Sequence, residues 1–207
     1  MADPDSAPSA PLPWPPSLAP GARYRPVPYA SRLPLRDPAG IDLVVMHCTE
    51  TPDLASAREF GERVLYPETG TGACGHYYID RDGTVVLYVR PDRIAHHVRG
   101  FNARSVGIEL VNTGRYPDWM DSRRQAMDEP YTREQVAALI LLLARLRSEL
   151  PGLRHIAGHE ALDTAREPAS DDPSVLVWRK RDPGPLFPWP EVLGASGLEV
   201  LDPEAMP

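Results

Sequence analysis

Lysine is almost missing from this chain: of 22 Lys and Arg residues, every one but Lys180 is arginine. Cysteine is nearly as scarce. Cys48 and Cys74 are too few for a disulfide scaffold and lack the C-x-x-C spacing of a metal or redox pair. They read as two small, partly buried thiols, with a bridge or a ligand pair as the alternatives. Positive charge is in deficit too. A net charge of -7 argues against a nucleic-acid partner, because phosphate affinity rests on clustered Lys and Arg. No membrane span is expected either, because the strongest apolar run, Val136 to Leu146, is broken by Arg145 and falls short of the ~20 residues a span needs. The opening MADPDSAPSAPLPWPPS has no basic stretch followed by an apolar one, so the expected compartment is the cytoplasm; a removed leader would point to the periplasm.

What is present is the composition of a folded domain. Over 207 residues, 42% are hydrophobic and 25% charged, enough for one domain with a real core, expected as a monomer. Residues 1–39 hold many of the 25 prolines and read as an arm, either a linker or a segment lying along the domain. Residues 40–194 form the domain, and 195–207 a short acidic tail expected to be loose. Ile41 to Cys48 is a compact β-branched run, the mark of a buried strand. Ser56 to Val64 reads as a helix. His76 to Ile79 and Thr84 to Val89 flank an Asp-Gly turn and read as a hairpin. Ser105 to Val111 is another strand. Thr132 and Gln135 form a capping box before a long helix whose apolar stripe is Val136, Leu139, Ile140, Leu143, Leu146 and Leu150. A short strand follows at Arg154 to Ala157. The expected fold class is α/β, a single domain with a central mixed β-sheet flanked by helices.

Several polar residues stand out against this frame. His47 ends the first apolar strand on the face of Leu43 and Val45, where a strand leaves the core for a cleft; alone, such a histidine is as readily structural. Glu109 lies opposite Val106, Ile108 and Leu110, beside Gly107, so it faces either solvent or a cleft. His159 sits in HEALD, one residue away from HExxH. A zincin-like site of His159, Glu160 and Asp163 is therefore a competing reading, although Gly158 directly precedes the motif and no helix to carry both ligands is evident. In Arg179-Lys-Arg-Asp-Pro-Gly-Pro185, Pro183 favours an extended Asp182. Lys180 and Asp182 then point the same way, as an exposed ion pair or as groups entering one site. In a chain that otherwise uses arginine, a lone lysine suits a compact cation for an oxyanion. Two histidines and an aspartate with an open position make a sound catalytic zinc sphere. Glu109 and Lys180 then supply the base and the oxyanion partner that such a site needs.

The runs VVMHCTE, GHYYIDRDGTV, AHHVRGFNARSVGIEL, HIAGHE and KRDPGPLFPW, in this order, resemble the type-2 N-acetylmuramoyl-L-alanine amidases. That family includes cell-wall recycling amidases, phage endolysins and peptidoglycan recognition proteins, and the similarity spans about Ile41 to Leu193. The resemblance implies a Zn2+ cofactor held by His47, His159 and Asp182, with Glu109 and Lys180 catalytic and His97 and Asn102 in the substrate cleft. It implies cleavage between the muramoyl lactyl group and the L-alanine of the stem peptide. A non-catalytic peptidoglycan-binding module is the other function class, but it has no use for the full set. The aspartate in KxDPGP is closest to the recycling amidases, so the expected partners are soluble muropeptides, N-acetylmuramoyl or 1,6-anhydro. Three departures bear on substrate preference: the stretch Asp163 to Trp178, His96-His97 in place of Trp-His, and the long proline-rich arm.

Overall fold

Strand β2 (Leu43–Cys48) is buried at every residue, as expected of a strand covered on both faces by other layers. It pairs in parallel with β5 (Ser105–Leu110) on one side and β6 (His155–Gly158) on the other. Beyond β5 lies β3 (Tyr77–Ile79), also parallel, which turns back antiparallel into β4 (Val85–Leu87). The turn is the expected Asp-Gly one, with Gly83 at φ +81° and its N–H donating to the Asp80 carbonyl at 2.9 Å. A left-handed residue there is cheap only for glycine. Edge strands β1 (Arg23–Tyr24) and β9 (Glu199–Val200) complete a seven-stranded mixed sheet, in the order β1-β4-β3-β5-β2-β6-β9. The computed structural model describes residues 22–202, and no helix in it is long and apolar enough to cross a membrane.

One face of this sheet is covered by helix α2 (Arg133–Glu149), which starts at the capping box: Thr132 caps the Gln135 N–H and Gln135 returns the bond. Leu139, Leu142, Leu143 and Leu146 are fully buried against Val44, Met46, Val106 and Ile108, with Val192 of α4 (Trp189–Ser196) alongside. Leu142 belongs to the stripe, whereas Ile140 is only half-buried. Each leucine contributes about 1.5–3 kcal/mol by leaving water. The other face carries Leu43 and Val45 under Val98 and Ala157, and toward β4 it packs α1 (Leu54–Glu62) through Ala57. It is this second face that opens into the cleft.

Of the two readings of the proline-rich arm, residues 22–39 take the one that lies along the domain, whereas the C-terminal tail differs from expectation. Residues 1–21 lie outside the described residues, but 22–39 lie along the domain: Val27, Tyr29 and Leu33 are buried with Tyr78 and Tyr88. Arg36 donates to the carbonyls of Pro91, Asn102 and Ser105 at 2.7–2.9 Å. The tail expected to be loose is part of the fold as far as residue 202. Leu198 and Leu201 are buried, and the Leu201 N–H donates to the Ile156 carbonyl at 2.9 Å. A two-residue edge strand is too short to show a period, so its pairing has no signature in the sequence. The stretch Asp163 to Trp178 folds into a separate hairpin of β7 (Arg166–Pro168) and β8 (Leu176–Trp178). Asp171 fastens it to the β5–α2 loop through the Ser122 N–H and hydroxyl at 2.7 and 2.8 Å.

Candidate active site

The cleft lies at the carboxyl ends of β2, β5 and β6, where open α/β sheets generally bind their ligands. His47 and Glu109 stand side by side in register on β2 and β5, on the face opposite α2. His159 is the first residue after β6 and opens the single-turn helix α3 (His159–Leu162). Asp182 arrives from the segment after β8, and its carbonyl accepts from the Glu160 N–H at 2.9 Å, which docks that segment on α3. Lys180 lines the same cleft of about 380 Å³ together with His47, Glu109, His159 and Asp182.

His47 Nδ1 and His159 Nδ1 converge on a single oxygen, Oδ2 of Asp182, at 2.8 and 3.0 Å. All three side chains are buried. Among the described residues they are the one group of three or more His, Cys, Asp or Glu able to hold a metal ion, with ligand atoms within 4.8 Å of one another. The second oxygen of Asp182 and Nε2 of His159 are buried without a hydrogen-bond partner, a cost a protein rarely accepts without a further ligand. Two imidazole nitrogens and a carboxylate oxygen are a donor set that fits zinc. Burial pushes His47 down to about 4 against the pull of Asp182. Burial also opposes the charge of Asp182, but the two histidines and Lys180 outweigh it and hold the carboxyl well below its usual range. Asp163, the alternative ligand in HEALD, is turned away: its carboxylate pairs with the Arg179 guanidinium. The helix that would present it ends at Leu162.

Glu109 is half-buried. Burial, then the nearby carboxylates of Asp182 and Glu50, raise it well above its usual value, with Lys180 pulling the other way. A carboxyl raised toward neutrality is suited to exchanging a proton. His97 lines the cleft, although its ring nitrogens are engaged by His47 at 3.0 Å and Ser105 at 3.2 Å. Asn102, expected in the cleft, is turned into its own loop. Its Oδ1 accepts from the N–H groups of His97 and Val98 at 3.0 and 2.8 Å, so it holds the loop that carries His97. His96 also lines the cleft, with its ring 5.0 Å from that of Tyr66.

Two residues to which the sequence assigned no role, Arg115 and Glu50 at the end of VVMHCTE, build one wall. Arg115, 1% exposed, meets Glu50 with two charge-assisted bonds, Nε to Oε1 at 2.7 Å and Nη2 to Oε2 at 2.9 Å. Its Nη1 reaches the carbonyls of Trp178 at 2.8 Å and Trp119 at 3.1 Å. One guanidinium thus joins the loop after β2, the loop after β5 and the strand that leads into Lys180. Glu50 adopts φ +46°, uncommon for a residue with a side chain. Trp119 and Phe60, 5.8 Å apart edge to face, continue this wall. The ion pair itself carries no local signal, because Glu50 and Trp178 lie 65 and 63 positions from Arg115.

A mixed sheet with two histidines, two acids and a lysine gathered at its strand ends has the layout of a hydrolase. The family model of N-acetylmuramoyl-L-alanine amidases matches residues 37–185, well over half of the chain, and the chain belongs to that family of peptidoglycan amidases. Among curated relatives, an endolysin of Klebsiella phage KP32 is 29% identical over 123 residues, 59% of this chain and 77% of the relative. The solved endolysin amidase LysCS of Clostridium intestinale URNW superposes with a TM-score of 0.61 at 20% identity, covering 88% of this chain and 99% of that one. AmiD of E. coli, solved with the substrate anhydro-N-acetylmuramic acid-L-Ala-D-gamma-Glu-L-Lys, superposes at 0.58 with 22% identity, covering 80% and 61%. These two likenesses concern the fold, the mixed sheet with its flanking helices.

Proposed function

We propose that this amidase is zinc-dependent, that His47, His159 and Asp182 hold the ion, and that it acts on soluble muropeptides released by wall turnover. The observation that carries the reading is the meeting of all five expected residues on one cleft, with His47 and Glu109 neighbours in register. Zinc, when bound, polarises the scissile carbonyl and activates water. Glu109 takes the proton of the attacking water and delivers it to the departing amine of L-alanine, which needs a carboxyl that is easily protonated and deprotonated. Lys180, held on the same cleft, offers its ammonium to the developing oxyanion. The amide C–N bond breaks, leaving a muramoyl lactyl carboxylate and a stem peptide with a free amino terminus. A non-catalytic recognition module has no need for a base and a lysine placed around such a cluster.

Metal analysis of the wild type, His159→Ala and Asp163→Ala tests the ligand set. The first and last should carry one zinc and His159→Ala should lose it; loss in Asp163→Ala alone overturns the assignment. Substrate preference is read by mass spectrometry after incubation with anhydro-muropeptides or intact sacculi. The KxDPGP ending and the substrate held by AmiD favour fragments, met in the cytoplasm. The endolysin relatives favour the second reading, polymeric wall. Efficient digestion of sacculi with poor turnover of anhydro-muropeptides would establish that reading and place the enzyme's work outside the cytoplasm.

A further inference from the structure

His97 is engaged at both ring nitrogens, and the direction of each bond follows from its neighbours. The Ser105 hydroxyl has one proton, and it is given to the Phe101 carbonyl at 2.8 Å, a group that can only accept. The Ser105 oxygen, 3.2 Å from His97 Nε2, therefore accepts, and the proton between them is on His97. A neutral His97 then carries its lone pair on Nδ1, which accepts from His47 Nε2–H at 3.0 Å. His47 is left with a bare Nδ1, the atom that lies 2.8 Å from Asp182 Oδ2. Two lone pairs at that separation repel unless a cation joins them.

The ring of His97 is also fixed in place. A Cβ on Gly107 would come within 2.6 Å of His97 Nδ1, so glycine in β5 is what lets the imidazole lie against the strand. The buried His76 ring stands edge-on at 5.4 Å, and His76 is itself anchored, accepting from the Gly107 N–H at 3.0 Å.

We propose that His97 is a positioning residue for the metal centre: with Ser105 it locks His47 in the Nε2–H tautomer, so that Nδ1 is presented to the zinc. The proposal rests on the zinc reading given above and adds a role to residues outside that ligand set. Outer partners of this kind set the tautomer and orientation of metal-bound histidines, and their loss generally costs about 10–100-fold in affinity.

Two measurements test it. In metal-free, 15N-labelled wild-type protein, long-range 1H–15N correlations should show His97 as the Nε2–H tautomer, and His47 should be Nε2–H once zinc is added; His97 found as Nδ1–H overturns the relay. Competition with a chromophoric chelator should show zinc binding weakened about 10–100-fold in His97→Leu. Most of that should return in His97→Asn, whose Oδ1 takes the place of Nδ1 as acceptor. Equal affinities in the Leu and Asn variants, or wild-type affinity in both, would reduce His97 to a packing residue. If the wild type itself binds no zinc, the zinc reading fails, while the tautomer measurement still decides the relay.

Discussion

Replacing Arg115 with methionine should be the most damaging single change outside the cleft's reacting groups. The Arg115 side chain is 1% exposed and that of its partner Glu50 10%, so the substitution strands a carboxylate where water hardly reaches. Removing one partner of a buried pair costs about 3–5 kcal/mol, about a fifth or more of the roughly 5–15 kcal/mol that holds a domain folded. With about 2–4 °C lost per kcal/mol in a domain of this size, the melting temperature should fall by roughly 10 °C. Urea titration of the metal-free protein reads the loss directly. Adding Glu50→Gln removes the stranded charge, so the double variant should be more stable than the sum of the singles by about 1–3 kcal/mol. Turnover should drop further than stability alone explains, because the carbonyls of Trp178 and Arg179 that Arg115 holds immediately precede Lys180. A loss below about 1 kcal/mol in Arg115→Met, or strict additivity with Glu50→Gln, would refute this account of the wall.

Lys180→Arg should keep the fold and the metal but lose on the order of a hundredfold in turnover, the effect of removing one oxyanion donor; near-normal rates would return Lys180 to an ordinary ion pair. Glu109→Gln should retain zinc and bind substrate while abolishing most hydrolysis, and a variant that instead sheds metal would make Glu109 structural. The pH dependence of stability tests His76, whose burial, reinforced by Arg36, lowers it well below its usual value. A histidine kept neutral in the fold but protonated in the unfolded chain contributes stability that is present above about pH 6.5 and is lost as pH falls below it. Between pH 6 and 5 the unfolding free energy of the metal-free wild type should therefore fall more steeply than that of His76→Gln, by up to about 1.4 kcal/mol per pH unit. Equal slopes would mean that His76 takes up its proton in the folded state.

Much of the framework was legible from the residues because the interactions that form it are local or periodic. The capping box at Thr132 and Gln135, the Asp-Gly turn at Gly83 and the alternation that sets Glu109 opposite Val106, Ile108 and Leu110 each lie within a few positions of one another. The chemical types at the cleft were legible too, since strand ends and the KRDPGP run confine where His47, Glu109, Lys180 and Asp182 can point. What only the tertiary structure decided are contacts between positions far apart in the chain. Asn102 holds a loop instead of facing the cleft, because two N–H groups of that loop need an acceptor. His97 bonds to His47 across 50 positions, and Arg115 joins two loops and β8. The segments 22–39 and 195–202 are held by edge pairing and by carbonyls that need donors. Such bonds have no period: they exist because a buried donor or acceptor must find a partner, and only the folded chain determines which groups are within reach.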